Sequence, residues 1–203
     1  MKFRLHPILL PFFLFLAFTG GLAFYALIFI SLLLHEAGHI IAARINGMSV
    51  RSVTIMPYGG EMRIAKRYLY SKKARFFVAI GGPIATLIVL LAAKLIPFVG
   101  DDQVVQIQMA ILCLNVLPVL PLDGGQAICA LMEKSNDPYR IRSAYYLFSI
   151  GFFLAVIIII GYWLPQSLLY VLLALFLLSQ NIVAFRFRKY EFAYENLMRN
   201  RLT

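Results

Sequence analysis

An all-α polytopic membrane protein of about six transmembrane helices, with one small membrane-associated β-hairpin, is the fold this sequence predicts. Three observations predict it. Of 203 residues, 62% are apolar and 14% charged, too little polar surface to clothe a soluble globule. The apolar residues gather into runs near the roughly 20 residues that cross a bilayer as helix. The cations gather in the breaks between alternate runs, as they do on the cytoplasmic side of membrane proteins.

The first run, 7–19, is short and follows Lys2 and Arg4. A charged start before an apolar run has the form of a secretory signal. No small-residue cleavage site precedes the next run, so the segment is expected to be retained. The second run, 22–43, leads into 48–64, where Val53, Thr54, Ile55 and Met56, a turn Pro57-Tyr58-Gly59-Gly60, and Glu61 to Ile64 read as two strands of a hairpin. The third run, 76–99, contains Gly81, Gly82 and Pro83, small residues that permit close helix packing. The fourth, 104–119, is short and is broken by 117–125, whose two prolines and two glycines end a helix; backbone there must line protein or water. The fifth and sixth runs are 144–162 and 164–185. With no internal repeat or low-complexity linker, they form one membrane domain over 1–185. A tail over 186–203 follows, in which Arg186, Arg188 and Lys189 alternate with aromatic residues; it reads as a solvated helix end lying on the membrane.

Threading six spans with the N-terminus inside puts both termini and every Lys and Arg except Lys94 in the cytoplasm. Lys94 sits near the outer end of the third span, where its stem can snorkel to the interface. The net charge of +10 is therefore a topology signal and an attraction to anionic lipid. No nucleic-acid motif or aromatic-basic platform accompanies it, so no nucleic-acid partner is expected. Cys113 and Cys129 lie apart in or near apolar stretches and are expected to be reduced.

His35-Glu36-Ala37-Gly38-His39 fits H-E-x-x-H within the second run. Four residues apart on a helix, both imidazoles share one face within reach of one zinc ion, with Glu36 beside them as the base that activates water. Gly38 lets another backbone approach. A carboxylate at the centre of a membrane helix costs roughly 2.5–3.5 kcal/mol, which argues against a passenger role for Glu36. A catalytic zinc site takes three protein ligands and leaves a position open. His6 lies at the start of the first span. Asp123, in the sequence Asn115-Val-Leu-Pro-Val-Leu-Pro-Leu-Asp123-Gly-Gly125, is the better third ligand, because the prolines break the fourth span and allow a rigid loop to carry it. Asn115, on the same broken span, is placed to donate a hydrogen bond to a substrate carbonyl or oxyanion, or else to act as a helix-packing amide.

On these segments the sequence resembles the site-2 protease family of intramembrane metalloproteases, which pairs an H-E-x-x-H helix with a later N-x-x-P-x-x-P-x-D-G-G segment. Within it the sequence is most similar to the sporulation stage IV protein FB group, through His6-Pro7, Pro57-Tyr-Gly-Gly60 and Gly82-Pro83 as well. The resemblance implies a zinc metalloendopeptidase that cuts membrane-associated proteins within or beside the bilayer, with a membrane-tethered precursor of a transcription regulator as the substrate class and membrane-protein regulators as partners. Members of that group often carry a nucleotide-sensing CBS domain after the last span; the sequence to Thr203 shows none, so the resemblance does not extend to control by such a domain.

A substrate helix must unwind before its carbonyls can be attacked. The stretch from Val53 to Pro57 is read either as an exposed strand that pairs with the unwound substrate or as part of a structural hairpin. Two rival functions stand beside proteolysis: a proton or metal transporter, and an inactive scaffold that binds metal and clients. The first wants polar residues continuing across the membrane, but here they concentrate near one face. The second has no use for Glu36.

Overall fold

The computed structural model describes residues 2–7, 9–56, 59–65, 69–96, 101–133 and 138–200. In chain order these form β1 (Lys2–Leu5), α1 (Leu9–Thr19), α2 (Leu22–Ile45), β2 (Val50–Met56), β3 (Gly59–Ile64), α3 (Lys72–Leu95), α4 (Asp101–Val116), α5 (Asp123–Met132), α6 (Pro138–Gly161) and α7 (Leu168–Asn200). Four helices, α2, α3, α6 and α7, are long and apolar enough to cross a membrane, while α1 and α4 are shorter. Each of the six expected runs overlaps one of the helices α1, α2, α3, α4, α6 and α7, and the chain is a multi-pass membrane protein.

Local chemistry sets the helix ends. α2 stops where Gly47, at φ +67°, takes the left-handed conformation that lets Gly47 N and Met48 N bond back to the carbonyls of Arg44 and Ala43. α3 begins four residues earlier than its apolar run, because the Ser71 hydroxyl accepts from Ala74 N and caps the helix, a contribution of about 1 kcal/mol. Its last turn ends at Ile96, extended at φ −118° and ψ 98°, as the residue before a proline tends to be. Pro138 opens α6 at the first helical position, where its missing N–H costs nothing.

The chain divides into two compact units, Met1–Val116 and Leu117–Thr203. In the first, α2 packs along α3, and α3 along α4. The sheet has three strands in the order β1-β2-β3, with β1 parallel and β3 antiparallel to β2. A hairpin was expected; the N-terminal strand adds to it, pairing Lys2 to Leu5 with Ser52 to Ile55. The sheet is pinned to the helices by a cluster of Ala43, Met48, Ala74 and Val78, against which Val50, Met62, Ile64 and Tyr70 pack. In the second unit α6 packs on α7. The short α5 was not anticipated, and α7 runs unbroken through the segment read as a separate tail.

Candidate metal centre

The first unit holds His35, Glu36 and His39 on α2, and their setting depends on three glycines. A Cβ on Gly38 would lie 2.3 Å from Gly81 O, and one on Gly81 would lie 2.7 Å from Gly38 O, so α2 and α3 approach at backbone contact. A Cβ on Gly82 would lie 2.3 Å from His39 Nε2 and 2.6 Å from His35 Nε2. The missing side chains make the space in which both imidazoles fit, and both are buried.

Hydrogen bonds then orient the rings. His39 Nδ1 lies 2.7 Å from Val78 O. A carbonyl only accepts, so Nδ1 carries the proton and Nε2 keeps its lone pair. Gly82 N is also 3.3 Å from that Nδ1, but a protonated nitrogen is no acceptor, and the Val78 bond governs. His35 Nδ1 lies 2.8 Å from the hydroxyl of Thr86, a fully buried residue of α3. The two Nε2 atoms are 3.2 Å apart, with the rings nearly perpendicular.

This donor pair fits zinc. Two nitrogens at about 2.0–2.1 Å from one ion and 3.2 Å from each other subtend roughly 103°, close to tetrahedral. Each ring has its other nitrogen anchored by an α3 group, the arrangement that fixes metal-binding histidines. The Thr86 hydroxyl can donate or accept: accepting from His35 Nδ1, it leaves both Nε2 lone pairs for a cation; donating, it lets His35 Nε2–H bond to His39. Glu36, partly buried, follows His35 directly.

The other predicted residues of this unit lie on α4 and the sheet. Asn115 lies in the last turn of α4, and its amide donates to Ile111 O of its own helix at 3.1 Å. Val53, Thr54, Ile55 and Met56 are expected from the sequence either as an exposed strand that receives substrate or as part of a structural hairpin. They are on the middle strand: Val53 to Ile55 pair with Phe3 to Leu5 on one side, and Val53 to Met56 pair with Met62 to Gly59 on the other. His6 N extends the first ladder to Ile55 O at 3.0 Å. With both backbone edges taken and Val53 buried, β2 offers no pairing site. Pro57 lies outside the described residues.

Asp123 belongs to the second unit, as the first residue of α5, and is buried. The segment before it has no regular structure, and three side chains replace the lost backbone bonds. Tyr145 Oη donates to Pro118 O at 2.7 Å, Leu120 N donates to Ser149 Oγ at 2.9 Å, and Asn181 Nδ2 donates to Leu120 O at 2.6 Å. Gln126 Nε2 adds a bond to Pro121 O at 2.9 Å. A Cβ on Gly125 would lie 2.2 Å from Val119 C, so the loop folds directly onto α5. Cys113 and Cys129 form no disulfide.

Sequence reasoning missed Thr86, Val78, Tyr145, Ser149 and Asn181. A signal existed for the polar ones: an uncharged polar side chain within an apolar run needs a partner, and an irregular backbone at membrane depth needs donors and acceptors.

Residues 23–100 match the model of peptidase family M50. The chain is 25% identical over 161 residues to a zinc metalloprotease of Methanocaldococcus jannaschii, covering 75% of this chain and 46% of that protein. It is 26% identical over 140 residues to stage IV sporulation protein FB of Bacillus subtilis, covering 66% of this chain and 49% of that one. It thus spans less than half the length of these relatives. The fold is similar to that of a site-2 protease from Methanocaldococcus jannaschii, with a TM-score of 0.69 over 90% of each chain at 20% identity. Residues 23–100, with the H-E-x-x-H helix inside them, are thus similar to peptidase family M50, and the fold of the chain is similar to that of a site-2 protease.

Proposed function

We propose that this protein is an intramembrane zinc metalloendopeptidase that hydrolyses peptide bonds of membrane-associated proteins within or near the bilayer, its catalytic part being residues 1–185. The observation that carries the reading is the pair of histidine Nε2 atoms 3.2 Å apart in a glycine-lined space, each ring anchored through its far nitrogen. His35 and His39 are two ligands. Asp123 is the third, supported by its residue type, its burial at the head of α5 and the side chains that fix the loop before it.

When bound, zinc supplies Lewis acidity, polarising the scissile carbonyl and acidifying water. Glu36 takes the proton of the attacking water and delivers it to the leaving amine, a base-then-acid role. Asn115 steadies the substrate carbonyl once its amide turns from Ile111 O. The sheet receives the unwound substrate on an outer strand, β3, whose Met62 and Ile64 pack in the cluster that holds Ala43 of the metal helix. Both termini face the cytoplasm, as the cation distribution supports, and 186–203 lie on that side. The substrate is a membrane-tethered precursor of a transcription regulator, and other membrane proteins restrain the enzyme, as likeness to the sporulation protein supports.

The test compares membrane-protein fragments from cells making this chain with those from cells making Glu36→Gln. Fragments ending in or just inside a span, present only with the glutamate, are expected. The same fragments with both chains would overturn the protease reading and favour a metal-binding scaffold.

A further inference from the structure

α7 carries two seams. Along one, Ala174, Leu178, Asn181, Phe185, Arg188 and Phe192 recur at alternating steps of four and three residues and are buried or half-buried. α6 occupies it: Arg188 Nε donates to Ser143 Oγ at 2.9 Å, the Tyr139 and Phe192 rings lie 5.4 Å apart, and Arg142 bonds Glu195 at 2.9 Å. At about 100° per residue, a second seam lies roughly 170° around the helix. Gln180, Val183, Phe187, Tyr190, Tyr194 and Leu197 follow it in steps of three and four, and all six are exposed.

Within lipid an exposed apolar face is ordinary. Beyond Arg186, the first cation of α7, it is not: Phe187 is 57% exposed, Tyr190 73%, Tyr194 60% and Leu197 63%. These are heptad a and d positions, with Gln180 a single polar residue at a, of the kind that fixes register. The flanking positions commit the partner. In a parallel pair, the residue at g faces the residue five further on, at e, of the other helix. Here g is Arg186 and e is Glu191, both exposed and opposite in charge. Copies inserted in the same orientation present α7 in parallel. We propose that α7 pairs with α7 of a second copy of this chain as a parallel two-helix coiled coil, closed by reciprocal Arg186–Glu191 ion pairs where the helix leaves the membrane.

A photo-crosslinking amino acid replaces Tyr190, Tyr194 or Lys189 in the full chain, produced in membranes with two distinguishable tags. Adducts between two copies are expected from 190 and 194 and not from 189, which points away from the seam. Adducts to lipid or to another protein, or equal yield from 189, would overturn the proposal. Charge reversal supplies the second measurement: Arg186→Glu and Glu191→Lys should each lower the 190 adduct about fivefold, and the double variant should restore it. A double variant as low as the singles would also overturn it.

Discussion

The two units reach the same end, a fixed polar group in an apolar surround, by opposite means. In the first unit the histidines stand on regular helix, and the site is made by leaving atoms out: Gly38, Gly81 and Gly82 bring α3 against the imidazoles. In the second, Asp123 follows broken backbone, and the loop is made by adding groups: Tyr145, Ser149 and Asn181 supply the bonds that helix would have supplied. The contrast teaches where each part of the protein is vulnerable. The histidine site should fail when atoms are added, the aspartate segment when hydrogen-bonding groups are removed.

The largest expected effect belongs to Glu36 beside the histidines: on the proposed function, Glu36→Gln should lower proteolysis by roughly 10²–10⁴-fold while zinc content, measured by elemental analysis of the purified protein, stays level. Gly82→Ala sharpens the comparison most. Its Cβ would enter the space of both Nε2 atoms, so zinc content should fall well below one per chain; full zinc occupancy would show that α3 can retreat and that the glycine is not what sets the site. Thr86→Val keeps the shape and removes the anchor of His35, so zinc affinity by competition with a chelator should drop about 10–100-fold. In the second unit, Asn181→Leu leaves Leu120 O without that donor and should cost about 1–3 kcal/mol in thermal or denaturant unfolding. Tyr145→Phe, which removes one hydroxyl at a partly buried site, should cost about 1 kcal/mol; a larger loss than for Asn181→Leu would reverse the ranking of the loop's supports.

Much of this was legible in the sequence. The six apolar runs are helices because their length and lack of charge leave no other conformation that satisfies the backbone in lipid. The H-E-x-x-H spacing sets both imidazoles on one face because helical geometry does so wherever the motif stands on a helix. α5 escaped notice because ten residues beginning Asp-Gly-Gly carry turn chemistry and too short an apolar pattern to declare a helix. β1 was hidden for another reason: Lys2, Phe3, Arg4 and Leu5 alternate as a strand does, but the cations also serve as a topology signal, and the parallel partner lies about fifty residues away. That distant pairing also makes one of the two hairpin strands the middle one. Thr86, Ser149 and Asn181 look like incidental polar residues until the groups they face are known.

The Asn181 bond to Leu120 O has a consequence for how the protein is made. Its two residues are 61 positions apart, and Ser149 bonds 29 positions back to Leu120 N. Synthesis runs from the N-terminus, so the pair α2 and α3 can settle around the histidines while the later spans are still inside the ribosome. In the segment before Asp123, Pro118 O and Leu120 N lack these partners until α6 arrives, and Leu120 O until α7 does. The loop before Asp123 therefore matures last, and a chain that stalls before Asn181 has its histidine helices in place with this loop still unfinished.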